Sequence, residues 1–166
     1  MPRRHTPAGQ AHVYRDKPLQ PHVDDPYRTV GKYKEPTVCP ECNAVYHAGH
    51  WQWLPAPASP AHALCPACHR IRDGMPAGHL RLEGPYARAH SDDLLAVARN
   101  VEKREKAARP LNRIMSIEED GDAWVIATTD SHLARSIGEA IHHAHQGKLA
   151  LHYGPDENLA RVTWTR

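Results

Sequence analysis

Two short pairs, Cys39-Pro40-Glu41-Cys42 and Cys65-Pro66-Ala67-Cys68, contain all four cysteines of the 166-residue chain. No other feature restricts its folding as much. A two-residue spacer lets both thiolates of a pair reach one ion, and a second pair completes the tetrahedron that structural zinc prefers. The connection, residues 43–64, is slightly longer than the usual spacing of about 15–20. Its stretch Pro55-Ala56-Pro57-Ala58-Ser59-Pro60 accounts for the excess, because such a run cannot pair in a central strand and reads as a loop. Cys39, Cys42, Cys65 and Cys68 are therefore the predicted ligands of one Zn2+. Four thiolates leave no open position for water, so the ion is expected to hold a shape rather than to catalyse. It would supply folding energy to a region with little core of its own.

Two other readings use the same residues. Cys-Pro-X-Cys is also a thiol–disulfide sequence, but that chemistry calls for one pair at a helix start after a strand, and here there are two pairs without a clear βαβ context. Cys65-Pro66-Ala67-Cys68-His69 satisfies the covalent haem pattern. Haem attachment would leave Cys39 and Cys42 without a role, and it normally follows export. The N-terminus has no apolar segment of the secretory kind, and no stretch approaches the roughly 20 apolar residues of a membrane span. The expected compartment is the cytoplasm, where thiols stay reduced.

Proline and charge divide the chain. Residues 1–36 hold prolines at 2, 7, 18, 21, 26 and 36 with almost no apolar periodicity. Such a segment cannot offset its ordering entropy and is expected to be a disordered basic tail. Residues 37–78 form the predicted zinc ribbon. From 79 to 166 the pattern becomes regular. His79–Glu83 alternates as a strand. Ser91 is a candidate N-cap for a helix running to Ala108, with Leu94, Leu95, Ala98 and Val101 on one face. Arg113–Glu119 and Ala123–Thr128 flank the turn Asp120-Gly121-Asp122. Asp130 or Ser131 caps a second helix carrying Leu133, Ile137, Ala140, Ile141 and Ala144. Lys148–Tyr153 and Leu159–Trp164 complete the set. The order β-α-β-β-α-β plus one strand predicts an α+β fold, a ferredoxin-like split βαβ domain with an extra C-terminal strand.

Catalytic constellations are missing. The sequence has no phosphate-binding glycine loop, nucleophile elbow or His-Glu-X-X-His, and no small-molecule substrate is evident. The 14 histidines, including His142, His143 and His145, stand in no recognised ligand motif with a carboxylate. An enzyme is not expected.

Net charge is only +2, and the basic residues concentrate towards the cysteines. Residues 1–38 carry seven Lys/Arg against four Asp/Glu, and residues 91–166 carry ten against twelve. Lys32 and Lys34 precede the first pair, while Arg70, Arg72 and Arg81 follow the second. Folding around an ion would gather these with Trp51 and Trp53 into a cationic, aromatic surface. Basic groups neutralise phosphates and aromatic faces stack on bases, which suits RNA. The competing role for each tryptophan is to fill the small core under the ribbon.

The paired Cys-Pro-X-Cys motifs, the run Cys68-His69-Arg70-Ile71-Arg72-Asp73-Gly74 and the run Gly78-His79-Leu80-Arg81-Leu82-Glu83-Gly84 resemble the zinc region of the nonsense-mediated-decay-protein-three family. Residues 122–141, with Thr128-Thr129-Asp130 leading to Ala134, Ile137 and Ile141, resemble a later segment of that family. The likeness spans Cys39 to Trp164 and is to short bacterial relatives. The chain departs from the longer members in carrying only four cysteines and in having no length for their additional domains. In archaea and eukaryotes the family associates with the large ribosomal subunit, and the eukaryotic member is its export adaptor. What the resemblance implies is metal binding by the four cysteines and contact with the ribosome or ribosomal RNA, in a translation- or stress-related role; export has no place in a bacterium. The alternatives are a protein–protein adaptor acting through the C-terminal domain, and a metal- or redox-responsive regulator.

Overall fold

The computed structural model describes residues 13–15, 25–27, 33–154 and 159–166. Strand β1 (Val13–Arg15) comes first, followed by the four short strands of a small sheet: β2 (Thr37–Val38), β3 (Val45–His47), β4 (His50–Gln52) and β5 (Ala61–His62). Its order is β4-β3-β2-β5. Ala48 and Gly49 turn β3 into β4 with φ of 51° and 84°, the double positive φ that matches hairpin twist. Glu35 accepts both of their N–H groups at 3.0 Å. Helix α1 (Pro66–Asp73) follows, with Cys65 as its N-cap. It stops at Gly74, whose φ of 65° lets its N–H and that of Met75 return to Ile71 and Arg70 carbonyls.

The remaining elements are β6 (Gly78–Glu83), α2 (Pro85–Ala89), α3 (Ser91–Ala108), β7 (Ile114–Asp120), β8 (Ala123–Thr128), α4 (Ser131–His145), β9 (Lys148–Tyr153) and β10 (Ala160–Thr165). The large sheet has the order β1-β9-β10-β6-β8-β7. Burial alternates along β6, β9 and β10, because one face packs on helices and the other meets solvent. Leu80, Leu82, Ile126, Leu149, Leu151, Val162 and Trp164 meet Leu94, Ala98 and Val101 of α3 and Leu133, Ile137 and Ile141 of α4 in one core. Asp130 caps α4, accepting N–H groups of His132 and Leu133 at 2.8 and 3.2 Å, which is worth about 1 kcal/mol. Gly78 admits α4 closely: a Cβ there would lie 2.7 Å from Ala134 Cβ and 2.6 Å from Thr128 Oγ1.

The fold is α+β, as predicted, but the strand order departs from the ferredoxin-like one. The split βαβ unit is present, since β8 lies between β6 and β7 and is antiparallel to both. A ferredoxin-like sheet would then place β9 beside β6. Instead β10 occupies that position, parallel to β6 and antiparallel to β9. The extra strand is thus central, and its buried Val162 and Trp164 explain why: the apolar side chains of β10 need a covered face.

One local expectation also changes. Ser91 begins α3 inside the helix rather than capping it, because α2 ends at His90 and the chain turns directly into α3. Most of the segment expected to be a disordered tail lies outside the described residues, and two of its described stretches touch the rest of the fold. β1 pairs in parallel with β9 through Val13–Leu149, Tyr14–Ala150 and Arg15–Leu151, and an edge strand of this kind takes its bonds from a neighbour's backbone without needing an apolar pattern. Asp25 and Tyr27 rest on α1, described below.

Candidate metal centre

Each cysteine pair is shaped by its own backbone. In the first, Cys39 N–H donates to Ala44 O and Asn43 N–H to Cys39 O, both at 2.9 Å, so the chain folds back and presents two sulfurs on one side. In the second, Cys65 is extended at the N-cap and its Sγ accepts Cys68 N–H at 3.4 Å. Pro66 at the first helical position has no N–H to leave unpaired. The second pair therefore does sit at a helix start, which the thiol–disulfide reading wanted and the sequence did not display.

All four Sγ atoms lie within 4.8 Å of one another, and Cys42 and Cys65 sulfurs are 3.8 Å apart. A tetrahedron with zinc–sulfur bonds of about 2.3 Å has edges of about 3.8 Å, so the donor set and spacing fit such an ion. None of the four cysteines forms a disulfide. Cys39, Cys65 and Cys68 are buried and Cys42 is half-buried. Ala44, Ala67 and Trp51 pack around them, with Tyr33, Tyr46, Leu64 and Leu111 at the margin. Among the described residues this is the one cluster of His, Cys, Asp or Glu that could hold a metal ion. His69 is not part of it; its imidazole faces Asp73 at 3.3 Å.

A residue from the large sheet completes the site. Arg113, which precedes β7, points its guanidinium at three of the four sulfurs. Nη1 donates to Cys68 Sγ at 3.2 Å, and Nη2 donates to Cys42 Sγ at 3.1 Å and Cys65 Sγ at 3.5 Å. Nε donates to Pro110 O at 2.7 Å. Its main chain is held by Thr129, whose Oγ1 accepts Arg113 N–H and whose N–H donates to Arg113 O, each at 2.9 Å. Arg113 is only 8% exposed. Nothing local in the sequence marks it, since it lies 45 residues from Cys68 and 71 from Cys42.

The thiols differ in acidity for stated reasons. The hydrogen bond with Cys65 lowers the Cys42 thiol most, aided by the Ala44 backbone and Arg113. The same hydrogen bond and burial raise Cys65, while burial raises Cys68 against the pull of Arg113. Burial opposes the charge on Arg113 itself, yet the bonds to Cys68 and Cys42 and the field of the thiolates hold it above its usual value. A divalent ion bound by thiol ligands takes them as thiolates, so loading of such a site releases protons.

The surface predicted to meet nucleic acid is divided by the fold. Trp51 is 8% exposed, with Tyr33 and Tyr46 edge-on at 5.1 and 5.6 Å, so it fills the ribbon core and offers no open stacking face. Arg70 is 5% exposed; it pairs with Asp25 at 2.5 Å, donates to Met75 O at 3.1 Å and lies 4.4 Å over the Tyr27 ring. Tyr27 OH in turn donates to Asp73 at 3.0 Å. Arg70 is thus buried on the side of α1 that Asp25 and Tyr27 cover. Arg81 lies on the open face of the large sheet between Glu83 at 2.9 Å and Asp120 at 2.6 Å. Trp53 is 39% exposed and its indole N–H donates to Lys106 O at 2.7 Å, tying the ribbon to α3. Arg72 and Lys34 are exposed. Lys32 lies outside the described residues.

The open sheet face holds a row of two imidazoles flanking one guanidinium that the sequence did not single out. His152, Arg161 and His79 are register partners across β9, β10 and β6. Burial, and then Arg161, lower the His79 pKa. Beside this row, a cleft of about 480 Å³ opens between α1 and the sheet, lined by Ile71, Pro76, Met115, Val125 and Ala127 together with His79 and Glu118.

No described helix is long and apolar enough to cross a membrane. No protein-family model, curated protein or solved structure matches the chain.

Proposed function

We propose that Cys39, Cys42, Cys65 and Cys68 hold one zinc ion, and that the chain is a non-catalytic recognition protein whose target is the ribosome or ribosomal RNA. The observation that carries the metal is the convergence of four thiols at tetrahedral spacing under a buried cation. Sulfur donors of this kind select zinc over harder cations. With four ligands the ion has no open position, so its contribution is to join two distant chain segments into one surface.

The RNA reading is supported by the resemblance of the cysteine region to the nonsense-mediated-decay-protein-three family and by exposed Arg72 and Lys34 on the ribbon side. Phosphate contacts through such residues would give salt-sensitive binding. A protein partner is the second reading. It is favoured by the cleft beside exposed Ile71 and Met75 and by acidic, exposed Glu118, Glu119 and Asp120 on β7.

Metal analysis and gradient sedimentation of one tagged preparation test both parts. One zinc per chain is expected, falling to none in Cys65→Ser. The wild type should travel with ribosomal fractions at low salt and leave them as salt rises. A chain that stays at the top of the gradient at low salt refutes the RNA reading, and a metal-free chain refolded with zinc that retains none refutes the site.

A further inference from the structure

We infer that Arg113 is the positioning residue of the metal centre, the group that makes the four-cysteine site kinetically closed and ties its loading to docking of the ribbon on the large sheet. The inference rests on the zinc reading above and goes beyond it, because four cysteines alone would satisfy the ion.

The argument begins with charge. Four thiolates around a divalent ion carry a net charge of −2, held here among side chains that are largely buried. Uncompensated buried charge is costly unless it is paired and hydrogen-bonded. A guanidinium is always protonated and presents a rigid fork of donors. At Arg113 two arms of that fork reach three sulfurs at 3.1–3.5 Å. Lysine could supply the charge but not the fork.

The dependence is reciprocal. Arg113 forms no ion pair with a carboxylate among the described residues, and its other side-chain acceptor is the neutral Pro110 carbonyl. The sulfurs are therefore its counter-charge. Without the ion nothing fixes the four sulfurs at one point, and the guanidinium fork loses the aligned acceptors it reaches on Cys68, Cys42 and Cys65. Arg113 cannot drift outward, because Thr129 pins its main chain from both sides. The ribbon would then loosen from the sheet, where Leu111 at the margin of the cluster and the Trp53 bond to Lys106 also hold it.

Hydrogen bonds to metal-bound sulfur draw electron density from the lone pairs that an electrophile or proton would attack. Partners of this kind typically change metal affinity by about 10–100-fold when removed. The group belongs to a different segment from the ligands, so it can be altered with every cysteine in place.

The test compares wild type, Arg113→Lys, Arg113→Met and the surface control Arg99→Ala on α3, each zinc-loaded. Zinc transfer to a colorimetric chelator is followed with and without a thiol-alkylating reagent, and stoichiometry is read by native mass spectrometry. Arg113→Met should release zinc about 10–100-fold faster than wild type, with Arg113→Lys between them and Arg99→Ala unchanged. Release from folded Arg113→Met within twofold of wild type would overturn the inference. Should Arg113→Met not fold, Arg113→Lys carries the comparison, and release equal to wild type overturns it. A measurement on the wild type itself is independent of folding of any variant: slowly exchanging guanidinium protons should be visible in the zinc form and lost after chelation. Their absence from the zinc form would also overturn it. A wild type that binds no zinc at all is a different result, which refutes the metal site and not the geometry of Arg113.

Discussion

Thr129→Val removes one hydroxyl from a buried site and replaces it with a methyl group of nearly the same size. In the wild type, Oγ1 accepts Arg113 N–H at 2.9 Å and donates towards Leu111 O at 2.5 Å or Arg113 O at 3.2 Å. The valine leaves the Arg113 N–H without its acceptor and Leu111 O without its donor, while Arg113 O keeps the Thr129 N–H. A buried polar group left unsatisfied costs about 1–3 kcal/mol. Two such groups, one of them a carbonyl with some access to solvent, give about 2–4 kcal/mol. For a chain of this size each kcal/mol moves Tm by about 2–4 °C, so the expected fall is about 5–15 °C. Thermal unfolding by circular dichroism in excess zinc is the assay, because saturating metal keeps the linkage contribution equal between variants. Thr129→Ser, which keeps the hydroxyl and loses the methyl, is the control. If valine melts within a degree of serine, the hydroxyl is not what anchors Arg113, and the link between β8 and the cysteines is wrongly drawn.

Two further outcomes follow from the sheet. Trp164 is fully buried and its Nε1 donates to Gln146 O at 2.7 Å; Trp164→Ala should cost about 3–5 kcal/mol in urea unfolding of the zinc form, and a cost under about 1 kcal/mol would remove β10 from the centre of the core. His79 is pushed below its usual pKa by burial and by Arg161. A depressed pKa means stability present above the unfolded value of about 6.5 and lost as pH falls through the folded value. Imidazole NMR titration should therefore place the His79 midpoint below 6.5 and move it upward in Arg161→Gln; no upward movement would exclude the register pair as a cause.

Much of the local structure could be read from the chain. Ala123–Thr128 and Lys148–Tyr153 are strands over the residues expected, since alternation and turn residues act within a few positions. Asp130 caps α4 for the same reason. The short α2 was not foreseen, because Pro85–Ala89 buries only Ala87 and shows no periodicity. Among candidate site residues, the cysteines were visible through spacing. Trp51 and Arg70 were not separable from exposed residues by sequence, because burial depends on what lands on them: two tyrosine rings in one case, Asp25 and Tyr27 in the other.

The sequence by itself determined which cysteines come together, the Asp130 cap of α4 and which strands have an apolar face, all of them matters of contacts between near neighbours along the chain. Only the tertiary structure decided that β10 enters between β9 and β6, and that Arg113 lies on three sulfurs 45–71 residues away. Such contacts are selected by packing of the whole chain, since a lone arginine gains a partner only when a core has brought buried negative charge to it. The four cysteines specify an ion site, and the large sheet specifies what surrounds it.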